Sequence, residues 1–398
     1  MKIPITKLCI DQDDKQAILK PLESGWLVQG PFVLEFETLF CQFTQASFAK
    51  AATSCTAAMH LALEALDIGV GDKVVVPSFT FVATANAVEY TGAEVVFCDI
   101  DLRTFNIDVD KLHDILKKDR KQKIKAIMPV NLFGLCADLP KIADLAREFN
   151  LKVVEDSACG LGSYIGNRHS GTFGDVGCFS FHPRKPITTG EGGMLITNSE
   201  DITRKVTSLR DHGASKSDLE RHREKGGSLL PQYDFKGYNY RMTDLQAALG
   251  VSQMKKAEKI LEKRKKVAEQ YNEAFKKNGQ LLLPFVPPNY VHSYQSYVCL
   301  FSDNNNLSNL SLPKIEPINI KRNHLMSKLE EKGISTRQGT HAIHTLGFYK
   351  KKYRLRDSDY IHSLIADRLS LALPLYADMT DKEFQYVIEH IQKFMKDL

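Results

Sequence analysis

No apolar run in this chain approaches the roughly 20 residues that a membrane-crossing helix requires. The first residues also lack the apolar core of a secretory leader. Asp11, Asp13, Asp14 and Lys15 interrupt them, so a leader is not expected. None of the eight cysteines forms a C-x-x-C pair, which argues against a zinc ribbon or a thioredoxin-like dithiol. Several lie in apolar runs such as Gly177-Cys178-Phe179, where a free thiol behaves as a small buried hydrophobe. A reducing, cytoplasmic compartment is the expectation. The chain has no P-loop and no H-E-x-x-H helix. His341 and His344 share an H-x-x-H spacing, but without that helix no metal is expected. Gly160, Gly162 and Gly166 miss the dinucleotide fingerprint because the third glycine comes one residue late. The single tryptophan, Trp26, reads as packing.

Charge of one sign is also scarce. The 398 residues carry 53 basic and 48 acidic side chains, a formal net charge of +5. Over this length that is no nucleic-acid footprint, although it would suit a small anionic substrate. Hydrophobic residues make up 43% of the chain, enough for a sizeable core.

Between Thr53 and Thr197, short β-branched runs alternate with helical patterns. Lys73–Pro77, Glu94–Cys98, 124–130 and 151–154 read as strands, and 56–66 and 138–149 as helices. Strands separated by helix-length segments imply crossovers and a mostly parallel sheet covered on both faces. Two further strand candidates, 177–181 and 192–197, lie close enough together for an antiparallel pair. Thr243 suits the cap of one long helix running toward Phe275. Residues 296–301 read as a strand, the Asn/Ser-rich stretch 302–312 as a surface loop, and 321–332 and 381–393 as helices. Two N-x-S triplets, at Asn306 and Asn309, are not expected to be glycosylated. The resulting division is an N-terminal arm (1–30), a large α/β domain (31–255) and a smaller C-terminal α/β domain (256–398), with the arm placed beside the latter.

Three segments carry chemistry. In Ser180 to Gly193, Lys185 follows a strand and precedes glycines. A partly desolvated lysine amine forms Schiff bases, and the glycines would let backbone approach a flat cofactor. The alternative is a surface lysine in a loop. In Val153-Val154-Glu155-Asp156-Ser157, an acid ends a predicted parallel strand, where α/β folds place ligands. Because strand side chains alternate, only one of Glu155 and Asp156 can face that place, and both could instead cap the loop that follows. Thr53 to Met59 opens a helix with small and hydroxylated residues, suited to a phosphate or to an ordinary cap.

With Gly25 to Pro31, Val76 to Thr84, Tyr238-Asn239-Tyr240-Arg241-Met242-Thr243-Asp244, Gly333 to Arg337 and Leu373-Pro374-Leu375, these segments resemble the DegT/DnrJ/EryC1/StrS sugar aminotransferases along nearly the whole chain. The resemblance implies a fold-type I aminotransferase that uses pyridoxal 5'-phosphate (PLP). It implies a homodimer with shared active sites, a nucleotide-linked keto-sugar acceptor of the 4-keto-6-deoxy kind, and L-glutamate as donor. The product would be an amino-sugar for a surface glycan such as O-antigen lipopolysaccharide. By similarity Lys185 is the Schiff-base lysine, Asp156 pairs with the ring nitrogen and Phe81 stacks on the ring. Cys55, Thr56 and Ser180 lie around the phosphate, Asn239 reaches the other subunit's cofactor, and Arg337, His341 and His344 belong to the sugar or nucleotide site. Cys55, Asn131 and Cys159 depart from the common pattern, and Cys159 stands where a side chain often touches the ring hydroxyl. Two alternatives are a PLP-dependent sugar dehydratase, whose branch carries histidine where Lys185 stands, and a PLP-binding regulator without turnover.

Overall fold

The computed structural model describes residues 1–223, 230–303, 307 and 310–396. At its centre is a seven-stranded sheet in the order Phe48–Ala52, Gly193–Thr197, Val176–Ser180, Lys152–Asp156, Ile124–Ile127, Lys73–Pro77, Glu94–Cys98. The last five of these strands run parallel. Gly193–Thr197 is antiparallel to both of its neighbours, so the expected antiparallel excursion is present.

The sheet is covered on both faces because its strands are apolar on both faces. Val74 and Val76 join Ala126, Val154 and Cys178 in one core, against the helix Cys55–Ala65. Val75, one residue out of phase, points the other way and packs with Ile127, Val153, Leu112 and Ile142. Period-2 alternation thus feeds two cores from one strand. A third core sits under the antiparallel edge, where Phe36 and Phe40 of the helix Pro31–Thr44 meet Phe179 and Phe181.

The C-terminal part forms a three-stranded antiparallel sheet, Leu281–Leu282, Tyr297–Phe301 and Ser370–Leu373, packed with the helices Ala257–Phe275, Leu312–Glu331 and Asp381–Met395. A two-residue strand, His341–Ala342, pairs with Phe79–Thr80 and brings this region to the edge of the main sheet. At the N-terminus, Ile3 bridges to Ile334 and the Leu375 N–H donates to the Ile5 carbonyl. The following helix, Gln12–Ser24, packs instead on Asp244–Met254.

Two expectations need correcting. The single helix from Thr243 toward Phe275 is two helices, Asp244–Met254 and Ala257–Phe275. Thr243 caps the first as expected, in a capping box with Gln246. The break at Lys255–Lys256 lets the Lys256 ammonium reach buried Asp14 at 2.5 Å. The helix expected at 321–332 begins earlier, at Leu312, with Pro313 in its first turn, where proline costs no hydrogen bond. Residues 304–306 and 308–309 of the expected loop, including both triplet asparagines, lie outside the described residues. Among the described residues no helix is long and apolar enough to cross a membrane.

Candidate active site

The C-terminal ends of Lys152–Asp156 and Val176–Ser180 and the segment after Lys73–Pro77 converge at one edge of the sheet. Asp156 is the last residue of its strand. Buried there, it accepts a hydrogen bond from Thr84 Oγ1 at 2.7 Å and another from the Ala158 N–H at 3.1 Å. Burial holds its carboxyl above the ordinary aspartate value, against the pull of Thr84, Ala158 and Lys185. Glu155 takes the opposite face. It accepts from the N–H groups of Gly171 (2.6 Å), Phe173 (2.7 Å) and Gly174 (2.8 Å) and from Asn131 Nδ2 (3.0 Å). The structure thus resolves the choice that the sequence left open: Asp156 faces the site, and Glu155 ties down the loop behind it. Asn131 also donates to Ser157 Oγ at 2.7 Å, so this departure from the family pattern is a structural amide.

Lys185 lies in the segment between Val176–Ser180 and Gly193–Thr197, half-buried, with Nζ 3.2 Å from Cys159 Sγ. Burial opposes its charge, but Cys159, Cys55 and Asp156 around it outweigh that and hold the ammonium above the ordinary lysine value. Cys55 is buried at the first turn of Cys55–Ala65, and burial, with Asp156 nearby, raises its thiol well above the usual range, leaving it inert. Ser54 caps that helix by accepting the Ala57 N–H at 3.1 Å. The Cys55 and Thr56 N–H groups have no intrahelical acceptor by helix geometry and are suited to an anion.

The glycines after Lys185 allow a close approach of backbone. A Cβ on Gly193 would lie 2.3 Å from the Ser54 carbonyl carbon and 2.5 Å from the Cys55 nitrogen. A Cβ on Gly192 would strike Thr189 Oγ1 at 2.3 Å. Gly193 thus lets the chain pass under the helix N-terminus, against the Ser54–Cys55 peptide.

Ser180 ends its strand, half-buried, beside this group. Phe81, just beyond Phe79–Thr80, leaves 62% of its surface exposed, large for an aromatic side chain next to buried Thr80 and Thr84. His341 is exposed and pairs in register with Thr80, one residue from Phe81. Arg337 is exposed, its backbone is bonded to Ala372, and its charge acts on Arg184, next to Lys185. Asn239 is exposed on a bridge to Asp211 and shows no tie to this chain's own lysine.

His344 does not join them. It is fully buried, shares a 2.7 Å hydrogen bond between Nδ1 and Ser78 Oγ, and packs on the Tyr360 ring. Burial pushes it down to about 4, so it is a neutral packing histidine. Three residues on from exposed His341, His344 thus lies on the inner side of the turn, with no exposed surface.

Sequence reasoning also missed Thr84, which holds Asp156 from 72 positions away. It missed Asp244, the last residue of the Tyr238–Asp244 motif, as well. Its carboxylate accepts the N–H groups of Gly30 (2.9 Å) and Val33 (3.0 Å) and so caps the helix Pro31–Thr44. That pairing joins two quoted motifs and could have been sought as an acid for an uncapped Gly-Pro helix start.

These residues fit PLP. An amine lies near a buried carboxylate, whose Thr84 partner is three residues on from an exposed aromatic side chain, and Cys55 at a helix N-terminus lies near both. The α/β fold and this lysine–carboxylate pair define a PLP-dependent enzyme of the aminotransferase type. The chain belongs to the DegT/DnrJ/EryC1/StrS aminotransferase family, whose profile matches residues 8–392. It is 34% identical over 395 residues to the spore coat polysaccharide biosynthesis protein SpsC of Bacillus subtilis, covering 99% of this chain and 97% of that one. It is 32% identical over 396 residues to the GDP-perosamine synthase of Caulobacter vibrioides, covering 99% and 98%. Among solved structures, PseC of Helicobacter pylori, an aminotransferase involved in pseudoaminic acid biosynthesis, superimposes with a TM-score of 0.88 at 26% identity, with 100% of each chain covered. The family is one of PLP-dependent sugar aminotransferases.

Proposed function

We propose that this chain moves an amino group from L-glutamate to a nucleotide-linked keto-sugar, with a 4-keto-6-deoxy sugar as acceptor, and that it works in the cytoplasm as a homodimer. The observation that carries this reading is the convergence of Lys185 and Asp156, with Cys159 against the lysine nitrogen at 3.2 Å and Thr84 against the carboxylate at 2.7 Å. The name of the Caulobacter relative supports the acceptor class.

When bound, PLP supplies an aldehyde and an electron-withdrawing ring. Lys185 is the amine that would hold the aldehyde and the group that would carry a proton to and from the substrate carbon. Asp156 keeps a proton at the ring nitrogen, and Thr84 orients Asp156. Phe81 offers a face for the ring. Cys55, Thr56 and Ser180 would hold the phosphate, and Cys159 lies against the lysine nitrogen. Asn239 serves the partner's site, which is consistent with its exposure here. Arg337 and His341 line the entry on the Phe81 side, where a nucleotide's phosphates would meet the exposed Arg337, and remote binding of this kind orients the carbonyl.

The test is to incubate the enzyme with PLP, L-glutamate and, in turn, UDP-, GDP- and dTDP-linked 4-keto-6-deoxy sugars. Amino-sugar formed in step with 2-oxoglutarate supports the reading. A dehydrated sugar, or no product with any of the three, overturns it.

A further inference from the structure

The front half of the lysine segment is held by very little. Its rear half is stitched internally: the Thr189 N–H and Thr188 Oγ1 both donate to the Phe181 carbonyl, at 3.1 and 2.8 Å. Around Lys185 the local bonds are a turn, Lys185 N–H to the His182 carbonyl (2.8 Å), and Arg184 N–H to His182 Nδ1 (3.2 Å). Among the described residues, one hydrogen bond reaches the backbone of 183–187 from outside the segment. It runs from Gln295 Nε2 to the Arg184 carbonyl at 3.0 Å.

Gln295 is built for that bond. It is buried, and its Oε1 accepts Ser296 Oγ at 3.1 Å, which fixes the amide with its NH₂ toward Arg184. Its carbonyl accepts Arg264 Nη2 at 2.6 Å. Arg264 is itself buried and, among the described residues, has no carboxylate partner. Its guanidinium goes to the backbone carbonyls of Tyr294, Gln295 and Leu375. A buried charge without an ionic partner is costly, and here it anchors the segment 294–295, from which Gln295 reaches the Arg184 carbonyl.

We infer that Gln295, braced by Arg264, is a positioning residue for Lys185. It fixes the Arg184 carbonyl and hence the direction in which the lysine side chain leaves the backbone toward Asp156. This rests on the reading of Lys185 as the amine that holds PLP. Proximity effects are steep, and a displacement of about 1 Å can cost roughly a hundredfold in rate.

The experiment compares wild type, Gln295→Glu, Gln295→His and Lys185→Ala, each folded and supplied with PLP. The rate of appearance of the lysine-bound yellow chromophore, kcat, KM for glutamate and the melting temperature are measured. Gln295→Glu places an acceptor against the Arg184 carbonyl. It is expected to slow chromophore formation and lower kcat about tenfold or more, with KM for glutamate within about twofold. Gln295→His restores an N–H donor at similar reach and should recover most of the rate. Wild-type rates in Gln295→Glu overturn the inference. So does a loss that tracks the melting temperature and is not rescued by histidine. Chromophore formation in Lys185→Ala would instead overturn the underlying reading and leave the Gln295–Arg184 bond without a catalytic consequence.

Discussion

Glu155 and Asp156 are neighbours on one strand, both carboxylates and both buried, yet they do opposite things. On one face of the sheet Glu155 meets three backbone N–H groups and an amide, all fixed in place. On the other face Asp156 meets one hydroxyl and one N–H, beside a lysine. An acid whose lone pairs are filled by fixed donors is a staple. One left with capacity to spare, next to a titrating amine, can respond to a proton elsewhere. The difference comes from which side of a pleated strand each residue occupies, a single step in the sequence.

Exchanging the carboxylates for amides should separate the two roles. Asp156→Asn is expected to lower kcat by about a hundredfold or more while changing stability by less than about 1 kcal/mol. Glu155→Gln brings an NH₂ group against backbone donors and is expected to cost about 3 kcal/mol, with the folded fraction still binding PLP. Urea titration and steady-state kinetics on both variants check this. Equal effects on stability would break the comparison.

The same contrast holds for the histidines three residues apart. His344 is held down to about 4 by burial, against an unfolded value of about 6.5. Its folded state prefers the neutral ring, so its contribution is present above about 6.5 and is lost as pH falls toward about 4. His169, at about 4, and His292, at about 3, add to the same acid limb. His344→Gln should flatten stability against pH between about 6.5 and 4, whereas His341→Gln should weaken sugar binding. Denaturation midpoints across that range decide it.

The smallest effect concerns Cys159. Its removal takes away one of the influences that hold the Lys185 ammonium up. Cys159→Ala should therefore shift the midpoint for capture of PLP to lower pH, as followed by absorbance in a pH series. A midpoint that stays put or rises would remove Cys159 from the group acting on the lysine.

The sheet was legible where its strands were rich in valine and isoleucine, as at Lys73–Pro77 and Glu94–Cys98. The edge strand Phe48–Ala52 was not, because Phe-Ala-Lys-Ala-Ala has little β-branching, and its pairing with Gly193–Thr197 supplies what local propensity does not. The break at Lys255–Lys256 carries no proline or glycine, and the Asp14 that Lys256 meets there is far away in the chain. Lys185 and Asp156 stood out because strand ends are readable. Thr84, Gln295 and Arg264 did not, because nothing local marks a residue whose partner lies 72 or 111 positions away. The glycines at 192–193 were legible as a close approach, but to a partner that sequence could not supply.

The most direct measurement is borohydride reduction of the PLP-loaded protein followed by peptide mapping. The expected result is one pyridoxyl group, on Lys185, absent from Lys185→Ala. A label on another of the chain's lysines, or none at all, would contradict the assignment of this amine and, with it, the site built around it.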